Sequence, residues 1–75
     1  MNILFELEKI FRDIFDDKDL ELTPNTDSQD IPDWDSLSQI VLIEEIQEIF
    51  GVKFTQEEVL SIKNVGDIIS LIEKK

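Results

Sequence analysis

PDWDSLSQIVLIEEI, residues 32–46, joins two kinds of chain. A polar, acidic lead-in ends at Trp34-Asp35-Ser36-Leu37, and an apolar run of helical period begins at once. Aspartate and serine both start helices well, because their oxygens accept from the first free backbone amides. The pattern predicts a helix from Ser36 to about Phe50, and Gly51 suits the left-handed residue that closes one. At about 100° per residue, Leu42, Ile43, Ile46, Ile49 and Phe50 gather on one side as a core face. Leu37, Val41, Glu44 and Glu48 form a stripe on the opposite side, flanked by Ser38 and Glu45. Two apolar side chains thus stand in an acidic, outward row close to a serine. Single surface apolars are ordinary. Beside a serine at a helix start, they read as a docking patch. The free amides and the dipole at that start also favour an attached anion such as a phosphate. A plain N-cap at Asp35 or Ser36 accounts for the fold equally well.

Working outward, the segment before this helix is a loop. Residues 17–35 hold no sustained period and contain Pro24, Asn25, Pro32 and many aspartates. A loop of this length has to be functional or anchored. Leu20, Leu22, Ile31 and Trp34 are the candidate pegs. Before it, Asn2 to about Phe15 reads as an amphipathic helix. Ile3, Leu7, Ile10 and Ile14 form its stripe with Leu4, Phe11 and Phe15 beside them, and Asn2 is the cap. Phe5 falls off the stripe and is expected to be partly exposed or covered by a loop. After Gly51, Thr55-Gln56-Glu57-Glu58 is a capping box that opens a short helix through about Ser61. Asn64 caps a last helix carrying Val65, Ile68, Ile69 and Ile72, with Asp67 in its first turn and Lys74 and Lys75 at its end. No segment reads as a strand. The expected fold is all-α: a four-helix bundle of three main helices and one short one, with a long loop between helices 1 and 2, in a single domain spanning 1–75.

The whole chain narrows the function. At 75 residues there is room for one thin core and none for a deep, enclosed active site. With no cysteine and no histidine, thiolate and imidazole metal sites and Ser-His catalysis are excluded, so an enzyme is not expected. A net charge of -11 repels nucleic acid and anionic membranes and favours partners with basic patches. There is no long apolar run and no signal-peptide pattern, so a soluble, cytoplasmic protein without membrane insertion is expected. At 41% hydrophobic residues in periodic order, the chain is not a disordered one. The aspartates of the loop do not make a calcium loop: counted from Asp33 or from Asp27, apolar residues fall where oxygen ligands belong.

WDSLSQIVLIEEIQEIFGVKF resembles the acyl carrier protein family, whose signature is Asp-Ser-Leu at the start of the second helix of a four-helix bundle. The resemblance covers nearly the whole chain, including the long loop and the closing KNVGDIISLI. It implies that Ser36 receives 4'-phosphopantetheine from coenzyme A through a separate, magnesium-dependent phosphopantetheinyl transferase. It implies that Asp35 assists that transfer and that Leu37 is gripped by partners. Leu37, Val41, Glu44, Glu45 and Glu48 would then face acyl-loading and acyl-processing enzymes with basic docking surfaces. The cargo would be an acyl thioester of fatty-acid, polyketide or related biosynthesis, carried by a monomer. Ile40, Ile43, Ile46, Val59, Ile62 and Ile68 could shelter it, though ordinary core packing explains each of them. The chain departs from housekeeping carriers at Ser38 and Val41, where they commonly have acidic residues, and at Asp33-Trp34. Ser38 is also a second hydroxyl close to the first. Two alternatives stand beside this reading: an aminoacyl or peptidyl carrier, and an unmodified acidic helical adaptor for which Ser36 is only a cap.

Overall fold

Each helix forms where a cap meets a periodic apolar face. The computed structural model describes residues 2–75 and holds four helices: α1 (Ile3–Ile14), α2 (Ser36–Phe50), α3 (Gln56–Ser61) and α4 (Val65–Lys74). Among the described residues there is no strand, only an isolated bridge between Asp27 and Asn64. Asn2 caps α1 through the Phe5 amide at 3.1 Å. Thr55 and Glu58 close the capping box of α3, and Asn64 caps α4 through the Asp67 amide. Gly51 ends α2 at φ 66° in the left-handed region, which costs glycine little.

The core is built where the helix faces meet. Leu7, Ile10 and Phe11 of α1, Leu42, Ile43 and Ile46 of α2, and Val65, Ile68 and Ile72 of α4 form one buried cluster with Leu22, Ile31 and Trp34 of the loop. Phe50 packs against its edge. Ile49 does not join it. The helical wheel places Ile49 on the core face, but it is 50% exposed. It lines a shallow crevice with Glu6, Lys9, Ile10, Asp13 and Glu45, at the border where charged side chains of α1 flank the stripe residue Ile10. Phe5 is exposed as expected, with the Lys9 ammonium 4.9 Å from its ring centre.

The long loop is an ordered strap. Three of its four expected pegs, Leu22, Ile31 and Trp34, are buried, and Leu20 packs against the core's edge. The Trp34 ring meets Phe11 edge-on at 5.2 Å. Polar groups complete the anchoring. Glu8 accepts from the Leu22 amide at 3.0 Å, and Arg12 Nε donates to the Leu20 carbonyl at 2.7 Å. On the other side, the Val65 amide donates to the Thr26 carbonyl and the Gly66 amide to the Pro24 carbonyl, at 2.9 and 2.8 Å. Thr26 is buried, and its hydroxyl accepts from the Thr23 amide at 2.9 Å. The loop's aspartates shape its turns: Asp17 accepts from the Asp19 amide, Asp27 from Gln29 and Asp30 from Asp27. The strap therefore joins α1 to α4 and delivers Trp34-Asp35-Ser36 to the start of α2.

Candidate functional site

The start of α2 gives its two serines different work. Asp35 is the N-cap, and its Oδ1 accepts from the Leu37 and Ser38 amides at 3.0 Å each. Ser38 closes the box: its Oγ accepts from the Asp35 amide at 2.8 Å and donates to the Asp33 carbonyl at 2.9 Å. The backbone amide of Ser38, followed by its hydroxyl and the Leu37 amide, stabilises the ionised Asp35 carboxylate and lowers its pKa. Ser36 is exposed, and among the described residues its hydroxyl has no hydrogen-bond partner. Ser38 is thus held in structure, while Ser36 Oγ makes no such bond.

One expectation changes here. The helix start was expected to offer free amides to a phosphate. Asp35 already occupies the Leu37 and Ser38 amides, and the Gln39 amide donates to the Asp35 carbonyl.

Ser36 lines a groove of about 770 Å³ between α2, α3 and the strap. Ile40, Val59, Leu60 and Ile62 supply its apolar wall, and Ser28, Gln39, Gln56 and Lys63 its polar groups. Of the six residues offered as a shelter, Ile40, Val59 and Ile62 line this groove. Ile43, Ile46 and Ile68 are buried in the core instead. Leu60, at 76% exposure, is a groove residue that the sequence reading passed over. So are Gln39 and Lys63. The signal for Leu60 was an apolar residue beside Val59 on a helix too short to bury both.

The outward stripe of α2 is open. Leu37 is 77% exposed and Val41 52%. Glu44 and Glu48 are exposed too, whereas Glu45 is half-buried and turns into the crevice against α1 with Ile49.

Comparison with known proteins bears on this geometry. The family model described as a phosphopantetheine attachment site matches residues 6–72. The chain belongs to the acyl carrier protein family. It is 31% identical over 71 residues to an acyl carrier protein of Coprothermobacter proteolyticus, covering 95% of this chain and 87% of that one. It is 29% identical over 72 residues to the meromycolate extension acyl carrier protein of Mycolicibacterium aurum, covering 96% of this chain and 74% of that one. The solution structure of a holo acyl carrier protein from Geobacter metallireducens superposes with a TM-score of 0.91 at 43% identity, over 100% of this chain and 86% of that one. The expected all-helical carrier fold is therefore borne out. The chain is an acyl carrier that works through a covalently attached phosphopantetheine and serves biosynthetic enzymes; it is not itself an enzyme. No helix among the described residues is long and apolar enough to cross a membrane.

The site also fits the group on its own geometry. A flexible arm needs an exposed, unengaged nucleophile and open space beside it, and Ser36 has both.

Proposed function

We propose that Ser36 is the serine that carries the arm, and that the whole chain, 1–75, acts as one carrier domain. The observation that carries this reading is the contrast between the two serines: Ser38 is consumed by the cap, and Ser36 stands free at the groove. In the loading step, Ser36 Oγ attacks the phosphorus of coenzyme A on its pantetheine side. A new P–O bond forms, the pyrophosphate P–O bond breaks, the adenosine bisphosphate half leaves, and the serine proton passes to a base on the transferase. Asp35, ionised and fixed by the cap, stands beside that oxygen to help hold the transferase's magnesium. When bound, the arm supplies the thiol that holds an acyl group as a thioester.

Leu37 and Val41 form the apolar contact for partners, and Glu44 and Glu48 steer basic surfaces toward it, with Glu45 at its edge. The partners are a phosphopantetheinyl transferase and the enzymes that load and process the acyl group, in the cytoplasm. The carrier works as a monomer, and its charge keeps nucleic acid away. Support for this face comes from exposure and charge on a single helix.

The test is the intact mass after incubation with coenzyme A, magnesium and a broad-specificity transferase. Wild type and Ser38→Ala should gain one arm, and Ser36→Ala none. Gain by Ser36→Ala would move the attachment point elsewhere.

A further inference from the structure

We infer that Gln39 and Lys63 form a seat for the phosphodiester end of the attached arm; this rests on attachment at Ser36. The Leu37 and Ser38 amides at the start of α2 are taken by the Asp35 carboxylate, which adds a negative charge at the same place. An attached phosphodiester needs other donors. Gln39 lies one helical turn from Ser36 and lines the same groove, and residues three apart on a helix are neighbours.

Its amide is oriented. The Trp34 indole N–H donates to Gln39 Oε1 at 2.6 Å. An indole N–H can only donate, so the carbonyl oxygen of Gln39 must face Trp34 and the NH2 must face away. Among the described residues that NH2 has no protein partner. No buried side-chain polar atom lacks a partner, so the NH2 is open to solvent. Among the described residues, Lys63 is the one cation lining the groove. Lys9, Arg12 and Lys75 have ion-pair partners, whereas among the described residues the Lys63 ammonium has none, although the Lys63 backbone amide donates to Asp67 Oδ2 at 2.8 Å. Trp34, buried against Phe11, is thus a positioning residue. It turns a neutral side chain into a donor aimed away from the core, and Lys63, on the link between α3 and α4 that lines the same groove, answers the charge of the phosphodiester.

The test starts from holo protein whose single arm has been verified by mass. In 15N-labelled protein, conversion from apo to holo should shift the Gln39 side-chain NH2 signals and the Lys63 side-chain signals. Gln39→Glu keeps an acceptor for Trp34 and removes the donors. Its holo form should carry the arm but show slower 31P transverse relaxation than wild type, as the phosphodiester comes loose. Lys63→Gln should do the same and Lys63→Arg should not. Failure to gain the arm on Ser36 would overturn the attachment site and the seat together. A gained arm with unmoved Gln39 and Lys63 signals, or with 31P relaxation indifferent to Gln39→Glu, would overturn the seat alone.

Discussion

Asp35 and Ser38 cap each other. The Asp35 amide donates to Ser38 Oγ at 2.8 Å, and the Ser38 amide donates to Asp35 Oδ1 at 3.0 Å. The reciprocal pair fixes the frame of α2 and leaves Ser36, between them, out of the bonding.

Stability and loading should therefore separate between the serines. Ser38→Ala removes the box and should cost about 1 kcal/mol in urea unfolding while still accepting the arm. Ser36→Ala should abolish the mass gain and change stability by less than about 0.5 kcal/mol. An equal loss of stability in both variants would contradict the division.

Leu37 should matter to partners and not to folding. Leu37→Ala is expected to raise the transferase's KM for the carrier, with stability unchanged within about 0.5 kcal/mol, because the side chain is 77% exposed. Added salt should slow association further, since exposed charges are screened beyond about 8–10 Å at ordinary ionic strength. A large drop in melting temperature for Leu37→Ala would instead make Leu37 a packing residue.

Gly66→Ala tests the seam between the strap and α4. In a helix interior, alanine is normally favoured over glycine by up to about 1 kcal/mol. Here the added Cβ would stand 2.9 Å from the Pro24 carbonyl oxygen and 3.2 Å from Asn64 Oδ1. The Gly66–Pro24 hydrogen bond at 2.8 Å keeps that backbone from yielding. The variant should be less stable than wild type by thermal melting; a gain would show that the seam gives way freely.

Acid should act through two cap carboxylates. Asp35 is held below the ordinary carboxylate range by the Ser38 amide first, and Glu58 by the Thr55 amide first and then by Lys75. Their contributions are complete above the unfolded values near pH 4 and are lost as pH falls through the lower folded values. The melting temperature should hold steady from neutrality to about pH 5 and fall below about pH 4. A steady decline from pH 7 downward would refute the account.

Much of this was legible in the sequence because caps and stripes are local. Asn2, Thr55 with Glu58, Asn64 and Gly51 each act where the pattern put them. What stayed hidden depends on neighbours far along the chain. A helical wheel cannot show that Ile49 meets the charged border of the α1 stripe, nor that Glu45 turns into the same crevice. Glu8 and Arg12 lie off the apolar stripe of α1, yet they clamp the strap. Thr26 gave no signal at all, since its burial comes from a seam with α4. At the site, Ser36 and Ser38 could be ranked by their neighbours in sequence. Only the cap geometry shows how each hydroxyl is used.

The strap's tie to α4 also orders events in time. Val65 must find Thr26, and Gly66 must find Pro24, across more than half the chain. Distant pairings of this kind slow folding, because the intervening loop must close before they form. Trp34, which sets the wall beside Ser36, rides on that same strap. During synthesis α4 emerges after the strap and after α2. Ser36 thus acquires its folded surroundings only after α4 has been made and has docked against the strap.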